Sequence, residues 1–263
     1  MTAIDTTQTL TGSGMGLRIT DRPITSMDVE EVRDLVRRYQ WLAFQKQPVE
    51  EAEVVDYLAR FGDLTQNDRR RGAVLQLDGS QKDEVLLGQG FMPLHRDGAL
   101  MGTSIALVGI YCARYRGVSG GGRTFITDIQ NGIKAVPQHI LDVLQERGIE
   151  GRPVDRYYTS SSDTWHPIAG FSEVEGERFL NVGFPYRPGE PASWDMRIPG
   201  LSEAEFWDVF TPLTETLMSE QYCYYHAWQE GDLLLLDNQR TLHGREAFDG
   251  GDRALSNIQV VAA

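Results

Sequence analysis

The chain has 263 residues and a mass of 29.6 kDa, with 41% hydrophobic and 24% charged residues. That composition is globular and long enough for a sizeable core, which excludes a disordered tail and a disulfide-stapled miniprotein. With 25 basic against 38 acidic residues the net charge is −13, so a nucleic-acid partner is excluded over most of the surface.

The two cysteines, Cys112 and Cys223, form no CxxC pair. They read as reduced core residues of a cytoplasmic protein, not as zinc ligands or a disulfide. Glycine at 27 of 263 favours many turns and argues against a helical bundle.

Residues 1–13 read as a flexible arm ahead of one domain spanning 14–263. Met1–Gly16 has no apolar h-region, so no secretory signal is expected. No apolar run approaches the roughly 20 residues that span a bilayer, so no membrane partner is expected. Ser26 or Asp28 caps a helix whose apolar face is Val29, Val32, Leu35 and Val36. Trp41–Gln45 reads as a buried strand. Pro48 and the acidic Glu50, Glu51 and Glu53 open a second helix with the stripe Val54, Tyr57, Leu58 and Phe61, ended by Gly62.

Short β-rich runs follow at Ala73–Leu77, Glu84–Leu87, Ile105–Cys112 and Arg123–Thr127, separated by Gly, Asp and Ser turns. Arg69, Arg70 and Arg71 read as a solvated loop. Residues 134–149 look helical. Between 151 and 200 the periodicity is weak, and a long irregular excursion is expected with one strand near Phe179–Val182. Ser202–Ser219 looks helical, and strands follow at Cys223–Trp228, Asp232–Asp237 and Ala254–Val261. With no internal repeat and no linker, this order predicts helices packed on a β-sandwich or barrel.

The chemistry-bearing residues gather in the β-rich part. In His95-Arg96-Asp97, alternation along a strand puts the imidazole and the carboxylate on one face and Arg96 on the other. His243 follows the apolar run Leu233–Leu236 and Asp237-Asn238, and Arg253 opens the next strand. Two histidines and one carboxylate on one face make the triad of non-haem Fe(II) oxygenases, which leaves three coordination positions open. A 2-oxo acid can take two of these and O2 the third. Arg253 can pair with the far carboxylate of that acid, and Thr124, after Gly120-Gly-Gly-Arg, can add a hydroxyl donor.

Taken together, these motifs resemble the TauD/TfdA-like superfamily of Fe(II)/2-oxoglutarate-dependent enzymes. The likeness runs from about Val29 to Val261. It includes Arg60-Phe-Gly-Asp, Leu94-His-Arg-Asp-Gly98, Gly121-Gly-Arg-Thr124 and Asp237-Asn-Gln-Arg-Thr-Leu-His-Gly-Arg-Glu-Ala-Phe248. Within it the chain is most similar to the PvcB-like branch, which acts on amino-acid-derived isonitriles. The resemblance implies a double-stranded β-helix, or jelly roll, with flanking helices. It implies iron at His95, Asp97 and His243, and 2-oxoglutarate at Arg253 and Thr124, with O2 as the second cosubstrate. Because Asp97 is retained where halogenases of the superfamily carry Ala or Gly, it implies hydroxylation or desaturation and not chlorination. The expected substrate is a small amino-acid-derived metabolite of specialised biosynthesis, with a free or carrier-bound amino acid of another branch as the alternative. A non-catalytic jelly roll holding a metal or small acid is the reading from another class. Self-association is left open.

One departure stands out. Taurine-oxidising members carry a second Arg four residues after the first, and Asn257 stands there here. An amide can hydrogen-bond but cannot neutralise an anion, so taurine is disfavoured. Arg245 reads as a substrate contact or as scaffold paired with Asp237 or Glu246. His226, in an aromatic strand, reads as packed, with a substrate contact as the alternative. His166 reads as a lid or an exposed loop residue, and His139 as a surface residue. Tyr157, Tyr158, Phe184, Tyr186 and Trp194 form either a closing lid or a satellite core. Asn238 is placed to orient His243.

Overall fold

The computed structural model describes residues 9–66, 71–79, 85–100, 103–154, 164–168 and 170–262. The chain opens with β1 (Leu17–Ile19), α1 (Val29–Tyr39), β2 (Trp41–Phe44) and α2 (Glu51–Leu58). It continues through β3 (Val74–Leu77), β4 (Met92–His95), β5 (Ile105–Arg116) and β6 (Thr124–Asp128), then α3 (Ile129–Gly132) and α4 (Gln138–Arg147). Five short strands follow: β7 (Ile149–Pro153), β8 (His166–Ile168), β9 (Phe171–Val174), β10 (Glu177–Leu180) and β11 (Trp194–Arg197). Then come α5 (Glu203–Leu217), β12 (Cys223–His226), β13 (Leu233–Asp237), β14 (Thr241–Arg245) and β15 (Asp252–Val261).

A sheet in the order β1-β2-β13-β5-β15-β3 faces a second in the order β12-β6-β14-β4. This is the expected jelly roll with flanking helices. β13 shows why it forms. Leu233 and Leu235 join the cluster beneath α1 and α2, while Leu234 and Leu236 join Trp41, Ile110 and Ile126 between the sheets. All four leucines are fully buried, so the continuous apolar run is a strand covered on both faces. In β6, Phe125 packs outward against α5, and its neighbour Ile126 packs inward.

The helix boundaries follow local chemistry. Asp28, not Ser26, caps α1 by accepting the Glu30 N–H at 2.9 Å. Glu50 and Ser202 each complete a capping box at the start of α2 and α5. One 3₁₀ turn, Ala59–Phe61, carries the second helix on to Gly62. The helix expected over 134–149 is shorter, because Pro137 holds Val136 extended and α4 starts only after it. Burial pushes the thiols of Cys112 and Cys223 up to about 12, as befits free core cysteines.

Three expectations are corrected. The excursion is not one strand in irregular chain but two small sheets, β11-β7-β8 and β10-β9. Its strands are too short for their period to register. One visible signal was the two-residue loop Glu175-Gly176, both at positive φ, which closes the β9–β10 hairpin. The strand expected over Glu84–Leu87 is a turn in its described part, Val85–Leu87. The described part of the arm, 9–13, is tied down: the Leu10 N–H reaches the Met15 and Gly16 carbonyls, and the Ser13 N–H reaches the Gln221 carbonyl. Arg69, Arg70, Tyr157 and Tyr158 lie outside the described residues. Phe184, Tyr186 and Trp194 are buried together in the cluster against α4 and α5, which is the satellite-core reading.

Truncating Leu234 to Ala leaves a cavity between the sheets and should lower unfolding stability by about 3 kcal/mol. A urea titration with a change under about 1 kcal/mol would contradict this packing.

Candidate metal and oxo-acid site

The site grows from the pairing of β4 with β14. The two strands are antiparallel, and His243 lies directly opposite His95. Their rings sit 4.5 Å apart, centroid to centroid. β4 ends at His95, and the chain turns through Asp97 and Gly98. Gly98 is at φ +83, and a Cβ there would lie 2.2 Å from the Thr103 carbonyl oxygen, so only glycine permits this turn. Arg96, expected on the opposite face, lines the same cavity as the histidines, because strand alternation stops at His95.

Asn238 holds Asp97 by its backbone. Its side-chain oxygen accepts the Asp97 N–H at 3.0 Å, and its amide donates to the Asp97 and Ile105 carbonyls, each at 3.0 Å. The partner expected for Asn238 was His243, and the structure gives Asp97 instead. The Asp97 carboxylate is divided between two tasks. Its Oδ2 accepts from the Gln259 amide at 2.7 Å and the Asn257 amide at 3.1 Å. Its Oδ1 faces both imidazoles, 3.4 Å from His95 Nε2 and 3.6 Å from His243 Nε2.

The ligand atoms of His95, Asp97 and His243 all lie within 4.8 Å of one another. The Pro93 carbonyl, 2.9 Å from His95 Nδ1, takes the proton of that nitrogen and leaves Nε2 as the free donor. Burial lowers the His243 pKa to about 4, with His95 adding to the effect and Asp97 opposing it, so its imidazole is neutral near pH 7. Burial alone would raise the Asp97 carboxyl. The His95 hydrogen bond, the two histidine fields and the Gln259 amide outweigh it and hold Asp97 well below the usual carboxylate range. Two imidazoles and one ionised carboxylate converging on a point form a donor set that fits Fe(II).

Arg253, on β15, reaches the same cavity and is 2% exposed. One guanidinium N–H donates to the Leu77 carbonyl at 3.0 Å, and the buried Nε has no partner among the described residues. Burial lowers its pKa to about 9, and neighbouring Arg245 adds to the effect. A buried guanidinium without a counter-ion is poised for an anion. Thr124 begins β6 and also lines the cavity. Its hydroxyl oxygen accepts the indole N–H of Trp228 at 3.0 Å. Indole only donates, so the hydroxyl proton of Thr124 is left for the cavity. Trp228 and Gln259 were missed in the sequence, where both read as ordinary strand residues; only their strand positions hinted at a role.

The remaining candidates separate. Arg245 lines the cavity but spends its N–H groups on the carbonyls of Val85, Leu86 and Gly90. It is scaffold with partners other than those expected, since Asp237 pairs with Arg240 and Glu246 with Arg123. Asn257 lines the cavity while supporting Asp97. His226 does not reach the cavity wall. It is 1% exposed, 3.1 Å from Asp232 and 3.0 Å from the Tyr224 hydroxyl, with the Trp228 ring edge-on at 4.5 Å. His226 is thus packed against Asp232, Tyr224 and Trp228. His139 and His166 are exposed on α4 and β8, away from the cavity.

A family model described as "Taurine catabolism dioxygenase TauD, TfdA family" matches residues 6–259. The chain belongs to the TauD/TfdA family. A solved structure described as PvcB, an Fe, alpha-ketoglutarate dependent oxygenase from an isonitrile synthetic pathway, shares the fold with a TM-score of 0.71 at 24% identity, covering 94% of this chain and 86% of that one. Among curated relatives, the tyrosine isonitrile desaturase of Erwinia amylovora is 27% identical over 201 residues, 73% of this chain and 66% of that protein. The chain thus spans just under two thirds of that relative. The 3-((Z)-2-isocyanoethenyl)-1H-indole synthase of Fischerella ambigua is 28% identical over 220 residues, 81% of this chain and 78% of that one. Of solved structures, PvcB from Pseudomonas aeruginosa shares the fold with a TM-score of 0.73 at 23% identity, covering 94% of this chain and 86% of that one. AAD-2, solved with Mn(II) and N-oxalylglycine, shares it at 0.72 and 16%, covering 97% and 96%.

Replacing Gln259 with Leu removes one donor from Asp97 Oδ2. Affinity for Mn(II), measured calorimetrically, should fall by about tenfold, and an unchanged affinity would show that the amide does not matter to the donor set.

Proposed function

We propose that this TauD/TfdA-family enzyme desaturates a small amino-acid-derived isonitrile, with hydroxylation of the same carbon as the competing outcome. The observation that carries the reading is the shared cavity. The His95–Asp97–His243 donor set, Thr124 and Arg253, which has no ion pair among the described residues, all open into it. The isonitrile follows from the two relatives, whose names both specify one.

In this reading His95, Asp97 and His243 would hold Fe(II). Bound Fe(II) with 2-oxoglutarate supplies O2 activation and the oxidation of an unactivated C–H bond. Arg253 and the Thr124 hydroxyl grip the far carboxylate of 2-oxoglutarate. Gln259 and Asn257 keep Asp97 Oδ2 occupied, so the carboxylate offers the metal one oxygen. Leu75, Leu77, Leu255 and the Trp194 ring, which lies 5.4 Å from the His95 ring, supply an apolar wall that excludes water. Desaturation removes two hydrogens from adjacent carbons. One oxygen atom of O2 then leaves in succinate and the other in water, with loss of CO2.

Among the described residues no helix is long and apolar enough to cross a membrane. The free, buried Cys112 and Cys223 support a reducing, cytoplasmic setting.

Anaerobic protein given Fe(II) and 2-oxoglutarate should develop a visible charge-transfer band, which Asp97→Ala and Arg253→Ala weaken. With a tyrosine-derived isonitrile and O2, succinate should form together with a product lacking two hydrogens. A gain of one oxygen would make it a hydroxylase. No band in iron-loaded protein would overturn the assignment of these residues.

A further inference from the structure

We infer that Arg96 binds a carboxylate of the substrate, so that this enzyme selects an anionic small molecule. The inference rests on the proposed oxygenase reading for the place of the substrate, but not for the behaviour of Arg96.

The first observation is the charge of the cavity wall. Arg96, Arg245 and Arg253 line it, and among the described residues Asp97 is the only carboxylate residue that does so. Fe(II) and the 2-oxoglutarate dianion cancel each other, so loading the site leaves this surplus in place. The rest of the chain is strongly acidic, with a net charge of −13, so the positive surplus is a property of the cavity. Positive charge withdrawn from water calls for an anion.

The second observation separates the three arginines. Arg253 is assigned to 2-oxoglutarate. Arg245 is consumed by the carbonyls of Val85, Leu86 and Gly90. Arg96 makes no ion pair or side-chain hydrogen bond among the described residues, and its buried Nε has no partner. A guanidinium in that state presents a planar donor fork matched to a carboxylate.

The third observation is position. Arg96 stands between His95 and Asp97, where β4 has ended and the chain turns into the cavity. On β15, Asn257 also lines the cavity, but its amide is turned to Asp97.

The test uses 3-(4-hydroxyphenyl)propanoate and its neutral amide, 3-(4-hydroxyphenyl)propanamide, titrated calorimetrically into anaerobic protein saturated with Fe(II) and 2-oxoglutarate. Saturating 2-oxoglutarate keeps Arg253 engaged. The wild type should bind the acid about tenfold more tightly than the amide. Arg96→Gln should bind the two alike, and Arg96→Lys should keep a preference for the acid. Arg96→Met serves as the neutral variant if Arg96→Gln does not fold. Wild type that binds acid and amide alike or binds neither, or a neutral variant that keeps the acid preference, would overturn the proposal. The charge-transfer band is recorded on the same samples. Its absence would sink the iron–oxo-acid reading, while the acid–amide comparison would still judge Arg96.

Discussion

Asn238 sits at the junction on which the site depends. It directly follows β13, a strand of the larger sheet, and its side chain clasps the backbone of Asp97, just past β4 of the smaller sheet. The same amide reaches Ile105 at the start of β5. One fully buried side chain therefore fixes where the two sheets meet and where the carboxylate stands. The His95–His243 pair needs no such clasp, because strand pairing sets it directly. Asp97 lies beyond the ladder, so the Asn238 side chain takes up its backbone N–H and carbonyl.

The second constraint is electrostatic. A cavity that withdraws ionic groups from water must satisfy each of them. Asp97 is met by two amides and two imidazoles, and Arg245 by backbone carbonyls. Arg253 and Arg96 are left incomplete. The contrast with the surface is plain, where Arg123, Arg114 and Arg116 each have an acidic partner. Among the described residues that line the cavity, Arg253 and Arg96 each keep a buried Nε without a partner.

Much of this was legible in the residues. Leu233–Leu236 reads as an apolar strand, and His95, Asp97, His243, Thr124 and Arg253 stand out in the sequence as one set. What the sequence hid falls into two kinds. Strands such as β8 and β11 are too short for a period of two to register, so the excursion looked irregular. Side-chain partners across strands were hidden too. Nothing in the linear order says that Gln259 and Asn257 meet Asp97, that Trp228 meets Thr124, or that Arg245 serves the turn at Val85–Gly90. The face assigned to Arg96 failed for a related reason: alternation holds only while the strand lasts, and β4 stops one residue earlier.

Among the described residues, the strands of the excursion between α4 and α5 pair only with one another, as β11-β7-β8 and β10-β9. One backbone hydrogen bond, from the Phe184 N–H to the Leu94 carbonyl at 2.7 Å, ties it to the strand bearing His95. Yet it supplies Gly183 and Trp194 to the cavity wall. The catalytic frame and part of the substrate wall are thus built from separately paired pieces of chain. An exchange of the excursion alone leaves every ladder of the two main sheets intact. The architecture is modular in the sense that matters for engineering and divergence: the range of molecules accepted can change by grafting one segment, without rebuilding the groups that do the oxidation.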